Sequence, residues 1–189
     1  MKRVLIILGT ILIASILLLS FTMNTKEPDN TENKTYATLW DQFKENMKKS
    51  LPESAGKNLD EIEKNAVKDK NQVQLLKVIL YRQKVMEQKV EDEYEQEYLA
   101  YAKAQLDRLD EVPRAVLNNQ IAEVYYNYLN SHEYVISENQ RIDGDRSNVE
   151  MKYWDKQSFL DLIDYHYAEA LKPEKALKAA HTEDYLCLF

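Results

Sequence analysis

The sequence predicts an all-α protein made of antiparallel helical hairpins, packed as a short tetratricopeptide-like α-solenoid or bundle after an N-terminal signal or anchor helix. Apolar residues recur at spacings of three and four along most of the chain, which is the period of an amphipathic helix. The alternation typical of β-strands is almost absent. Of only three glycines in 189 residues, Gly56 and Gly144 alone lie beyond the N-terminal segment. Few long irregular segments are therefore expected.

The N-terminus has the pattern of an export signal. Lys2 and Arg3 precede the apolar run Val4–Phe21, which has about the roughly 18 to 20 residues that a membrane span requires. A basic start before such a run is typical of a secretory signal or of an uncleaved anchor. Residues 1–22 are therefore assigned to a signal peptide or membrane anchor, and the expected location is the periplasm or cell envelope. The polar residues 23–34 indicate a flexible tether.

Cysteine content and charge narrow the class of protein further. Cys187 is the only cysteine, so no intrachain disulfide can form and an exported chain must be held by its core. That fits a bacterial envelope better than a small eukaryotic secreted module. Once Lys2 and Arg3 are set aside, 23 basic and 32 acidic side chains leave a net charge of −9. Such an acidic chain argues against nucleic acid as a partner.

Residues 35–180 are expected to form one helical domain, followed by a short tail, 181–189, that ends the chain in truncated form. Pro52 and Pro113 suit first helical turns, and the Asp155 carboxylate can cap the helix that follows it. Lys172-Pro173 ends that helix. The predicted helices are Thr35–Ser50, Pro52–Lys70, Gln72–Lys89, about 93–110, Pro113–Asn130, Lys156 to about 171, and Glu174–Ala180.

The helix Pro113–Asn130 is expected to be central. Its residues Leu117, Ile121, Val124 and Tyr128 recur at spacings of four, three and four and form one apolar stripe. Apolar neighbours widen that stripe, so the helix should pack against more than one partner. Helix starts near 52, 71, 93 and 113 are about 20 residues apart, so each pair of successive helices makes a hairpin of tetratricopeptide-like length, although the strict signature of about 34 residues is not met.

No catalytic or metal-binding motif is complete, so we expect neither enzyme activity nor a metal or cofactor. Ser54 and Lys57 match the Ser-x-x-Lys of penicillin-interacting enzymes, but the partner motifs Ser-Asp-Asn and Lys-Thr-Gly are missing. Asn139–Glu150 resembles a calcium loop, yet Arg141 places a cation at a ligand position. The three histidines, His132, His166 and His181, do not have the spacing of a zinc protease.

The thirteen tyrosines suggest an interaction face. An aromatic-rich concave face is a common binding surface of helical repeats. The alternative is that these side chains complete the rim of the core while their hydroxyls reach water. The candidate residues are Tyr125, Tyr126, Tyr128, Tyr134 and Trp154.

A series of short segments carries a family resemblance. They are Tyr36–Asp41, Leu51–Ala55, Leu75–Arg82, Ile121–Leu129, Trp154-Asp155 and Glu183–Tyr185. In order and spacing they resemble the N-terminal helical region of bacterial alpha-2-macroglobulin-like proteins over about residues 35–186. The resemblance implies a link to endopeptidase inhibition, in which a protease cuts a bait region and is trapped.

The inhibitory machinery of that family has no counterpart in this chain. The thioester motif Cys-Gly-Glu-Gln does not occur, because Leu188 and Phe189 follow the single cysteine. No bait region is recognisable either, so the expected role is a non-enzymatic helical module, a fragment of such an inhibitor, whose partner is another protein or the remainder of a macroglobulin-like chain. The alternative is a free-standing tetratricopeptide-like interaction protein, anchored to the membrane by Val4–Phe21.

Overall fold

The protein is all-helical throughout the residues that its structure, a computed structural model, describes: 30–89, 93–141 and 149–188. No strand occurs within those ranges. Single turns of 3₁₀-helix lie at Leu106–Arg108 and Met151–Tyr153, and a longer one at Thr182–Leu188. The α-helices are α1 (Asn30–Lys48), α2 (Pro52–Asp69), α3 (Gln72–Lys89), α4 (Tyr94–Gln105), α5 (Glu111–Ser131), α6 (Glu133–Ser137), α7 (Lys156–Leu171) and α8 (Glu174–Ala179).

Local chemistry explains where these helices begin and end. Pro52 opens α2, where its missing N–H is not needed. The same helix ends in a left-handed residue, Lys70, and the N–H of Asn71 donates to the carbonyl of Ala66 at 2.8 Å. The Asn71 side chain then caps α3 by accepting from the N–H of Gln74 at 3.1 Å. One residue thus closes α2 and starts α3.

The cap predicted for α7 is present. The Asp155 carboxylate accepts from the N–H of Ser158 at 3.1 Å and also from the Ser158 hydroxyl. Both side chains are buried, so the cap satisfies polar groups that water cannot reach.

Of the two units into which the chain divides, the second is compact and comprises residues 38–189. Within the second, the most extensive helix contacts are those of α5 with α7 and of α2 with α3, and α5 also contacts α3 and α4. Its predicted stripe residues Leu117, Ile121, Val124 and Tyr128 are all buried. Their burial contributes roughly 6–12 kcal/mol at most, at ~1.5–3 kcal/mol per side chain. The central position predicted for this helix is confirmed.

Large aromatic side chains join α1 to α3. The rings of Trp40 and Phe43 lie 5.2 and 5.6 Å from the Tyr81 ring, both in edge-to-face geometry. The Trp40 indole N–H donates to Gln74 Oε1 at 2.7 Å, so the buried ring leaves no polar atom unpaired. Gly56 of α2 faces Val85 of α3, and a Cβ added at Gly56 would lie 3.8 Å from Val85 Cγ1, an ordinary van der Waals contact.

Some boundaries differ from the sequence prediction. α1 begins at Asn30 instead of Thr35, so the last residues of the predicted tether are helical. Nothing between Pro28 and Thr35 forbids helical backbone angles. The tail contains the 3₁₀-helix Thr182–Leu188, which contacts α3. Val4–Phe21 lies outside the described residues, and within those residues no helix is both long and apolar enough to cross a bilayer.

Candidate interaction surface

The structure divides the five residues of the predicted tyrosine face into two groups. Tyr125, Tyr128 and Trp154 are buried, with exposed fractions of 1%, 2% and 8%. Tyr126 and Tyr134 are exposed, at 48% and 85%. The five therefore do not line one surface, and only the last two can offer their rings to a partner.

The buried three form the aromatic core between α5 and α7. Phe159 of α7 is their common neighbour, with ring centroids 6.3 Å from Tyr125, 5.7 Å from Tyr128 and 5.4 Å from Trp154. The Trp154 indole donates to the carbonyl of Val149 at 3.0 Å. Burial raises the pKa of Tyr128 to about 12. These side chains stabilise the helix pair.

A buried polar pair lies in the same interface. His166 Nδ1 is 2.8 Å from Asn118 Oδ1, and the Asn118 amide nitrogen donates to the carbonyl of Arg114 at 3.0 Å. Because the amide nitrogen is the donor in that bond, the amide oxygen accepts from Nδ1–H of the imidazole. Burial, and secondarily the ammonium of Lys103, lowers the pKa of His166 to about 4. The pair is a specific structural contact between α5 and α7.

The exposed sides of the same two helices carry a second group of residues. On α7, Leu160, Asp164, Tyr167 and Leu171 share one helical face because they are spaced by four, three and four. Leu160 is 36% exposed and Leu171 is 71% exposed. On α5, Glu123 and Tyr126 stand beside them. We call these six residues the α5–α7 outer face.

Two side-chain contacts fix the register of this face. The Tyr167 hydroxyl donates to Glu123 Oε1 at 2.9 Å, and Lys156 Nζ lies 3.0 Å from Glu133 Oε1. From one contact to the other the residue number falls from 167 to 156 along α7 and rises from 123 to 133 on the opposite segment, so the two segments run antiparallel. Tyr126 consequently lies between these two contacts, beside the α7 stripe. The face combines an exposed aromatic ring and two leucines with carboxylates.

Within the described residues, the remaining motifs from the sequence bring no chemical site together. Residues 142–148 of the calcium-like loop lie outside the described residues. Asn139, its first position, donates its amide to the carbonyls of Lys152 and Trp154, while Glu150 pairs with Lys152. Lys57 of the Ser-x-x-Lys motif is exposed on α2. No cluster of His, Cys, Asp and Glu able to hold a metal ion occurs in the part of the chain that the structure describes.

A depression of about 240 Å³ lies between the start of α5 and the end of α7. The two cations that line it, Arg114 and Lys172, already have partners in the protein. Arg114 donates from Nε and Nη2 to the carbonyl of Leu109 at 3.1 and 2.7 Å, and Lys172 pairs with Glu169. Neither cation is therefore fully available to a ligand in this depression.

Sequence reasoning missed the leucines of the outer face. Leu160 and Leu171 were not singled out, although each follows a buried position, Phe159 or Ala170, by one residue. That offset rotates a side chain by about 100° from the core. The signal available in the sequence was the width of the apolar stripe on α7, which is greater than one helix interface requires.

Comparison of the chain with protein-family models, with curated proteins and with solved structures gave no match.

Proposed function

We propose that this chain is a non-enzymatic helical module of the cell envelope that acts by binding another protein. The observation that supports the proposal is the α5–α7 outer face. Tyr126, Leu160 and Leu171 expose apolar surface on the most extensively packed helix pair of the protein. Exposed apolar side chains grouped on one rigid surface are typical of protein-binding sites.

The family resemblance gives this role its most specific form. As the N-terminal helical part of an alpha-2-macroglobulin-like endopeptidase inhibitor, the module would dock against the remainder of such a chain. Its own part in inhibition would be structural, since bait and thioester segments are not in the sequence. Location in the envelope follows from Lys2 and Arg3 before the apolar run Val4–Phe21.

A second candidate is a free-standing tetratricopeptide-like interaction protein, anchored by the same apolar run. Consecutive helices pack on each other from α2 through α5, which favours it. In an array of hairpins each helix pair covers its neighbour, and the last pair has a side that no neighbour covers. We infer that the α5–α7 outer face is such a side.

Site-specific photo-crosslinking in the native host tests the proposed function. A photoreactive phenylalanine analogue replaces Tyr126, at the centre of the outer face. A matched control carries it at Lys64, an exposed position on α2. We expect a discrete crosslinked species from position 126 and none from position 64.

The identity of the crosslinked partner separates the two candidates. Mass spectrometry should find a macroglobulin-like chain if the family resemblance holds, or an unrelated envelope protein if the module is free-standing. Equal crosslinking at Tyr126 and Lys64, or none at either, would contradict the proposed docking role.

A further inference from the structure

The outer face carries a charge pattern that specifies its partner more closely. Glu123 and Asp164 lie among Tyr126, Leu160 and Leu171, on opposite rows of the face. Glu123 accepts a hydrogen bond from Tyr167, a neutral donor that leaves its charge in place. The surface is thus apolar and acidic at the same time.

The two lysines that flank the α7 stripe in the sequence pair with other carboxylates. Lys156, at the N-terminal end of the α7 stripe, pairs with Glu133 at 3.0 Å. Lys172, beyond its C-terminal end, pairs with Glu169. Among the ion pairs of the described residues, none joins a Lys or Arg to Glu123 or Asp164. A ligand that supplies cations would find two carboxylates to pair with.

The length of the face suits a helix. Two antiparallel helical rows, α5 on one side and α7 on the other, flank a surface about as long as α7, which at 16 residues spans roughly 24 Å. Apolar side chains spaced by three and four on an incoming helix can pack between such rows. We propose that the α5–α7 outer face binds a basic amphipathic helix, which packs apolar side chains on Tyr126, Leu160 and Leu171 and places Lys or Arg near Glu123 and Asp164.

A second copy of the chain is a poorer occupant for this surface. A twofold contact puts the same surface patch on both sides of the interface. Glu123 and Asp164 would then face the same acidic surface in the other copy. Like charges held together in an interface oppose association. The partner chemistry is therefore that of a separate, basic segment.

The inference rests on the proposed function and is tested with defined peptides. An 18-residue amphipathic helical probe carries leucines spaced by three and four, with lysines beside them. Its matched control has glutamate at every lysine position. Fluorescence anisotropy measures the affinity of each for the full-length chain. We expect the lysine peptide to bind in a salt-dependent manner and the glutamate peptide not to bind.

Substitutions in the protein then locate the binding site. Leu171→Asn leaves the net charge unchanged and should weaken the lysine peptide by about tenfold, because one leucine is no longer buried in the complex. Asp164→Asn should weaken it by about threefold, as expected for one exposed ion pair. The matched control is Glu61→Gln, which removes an exposed charge on α2 and should have no effect.

Three outcomes would overturn the inference. The first is failure of the lysine peptide to bind. The second is an equal loss of affinity in Asp164→Asn and Glu61→Gln, which would mean attraction to overall charge. The third is a dimer of the chain alone, seen in sedimentation and dissociated by Leu171→Asn. If crosslinking at Tyr126 succeeds in any of these cases, the proposed docking role still stands and only this partner chemistry is wrong.

Discussion

Protonation of His166 should control the acid stability of the α5–α7 pair. The imidazole is 3% exposed and donates from Nδ1 to Asn118. Tyr125 stacks beside it at 6.1 Å, and Lys103 of α4 and Glu169 of α7 are the nearby charges. Burial is the largest cause that lowers its pKa to about 4, from an ordinary 6.5. Protonation of His166 is therefore less favourable in the folded protein than in the unfolded chain.

The sign and size of the effect follow from linkage. Because the pKa of His166 is lower in the folded state, its contribution to stability is present above pH 6.5 and is lost as the pH falls through about 4. The gap between the two values corresponds to about 3 kcal/mol when lost completely. About 2 kcal/mol of that loss should already be reached at pH 5.

Urea unfolding at pH 7.5 and pH 5, followed by circular dichroism, measures this loss. His166→Asn keeps an amide donor near Asn118 but cannot titrate. When the pH is lowered from 7.5 to 5, the free energy of unfolding decreases in both proteins. The decrease in His166→Asn should be smaller than that in the unmodified chain by about 2 kcal/mol. His181→Gln, at an exposed histidine, is the control and should behave like the unmodified chain. If the free energy of unfolding of His166→Asn falls between these pH values as much as that of the unmodified chain, protonation of His166 does not control the acid stability.

Three further substitutions test the packing. Ile121→Asp places a carboxylate at a fully buried position of α5 and should cost more than about 4 kcal/mol, abolishing the cooperative thermal transition; an unchanged melting temperature would exclude a central α5. Gly56→Ala should stabilise by about 0.5–1 kcal/mol, because the new Cβ meets Val85 at an ordinary 3.8 Å; a lower melting temperature would contradict this. Asp155→Ala should cost about 1–2 kcal/mol in urea unfolding through loss of the Ser158 cap, and an unaltered midpoint would exclude a stabilising cap.

The main helices could be predicted from the sequence because the helical spacing of apolar residues agrees with the positions of helix-starting and helix-ending residues along most of the chain. Gln72–Lys89 has the predicted bounds, and α2 and α5 differ from theirs by one or two residues. The start of α1 could not be predicted in this way, because residues 30–34 include no apolar side chain whose spacing could indicate a helix. The short helix α6 was missed since one turn and a half gives no measurable periodicity.

The candidate site was harder to predict because tyrosine is compatible with both core and surface. Helical phase separates the two cases. Tyr125 and Tyr128 lie four residues after Ile121 and Val124, and are buried with them. Tyr126 is one position further round the helix and is exposed. The Asn118–His166 contact joins residues 48 positions apart, which no local pattern can reveal.

Occupancy of the α5–α7 outer face in the native host tests the central proposal most directly. In a Cys187→Ser background, single cysteines at Leu171 and at Lys64 are labelled with a soluble maleimide, first in the purified chain and then in intact envelopes. The cysteine at position 171, where Leu171 is 71% exposed in the isolated protein, should be labelled several times more slowly in envelopes, while labelling at position 64 should not change. Equal labelling of Leu171→Cys in both settings would contradict the proposed occupancy.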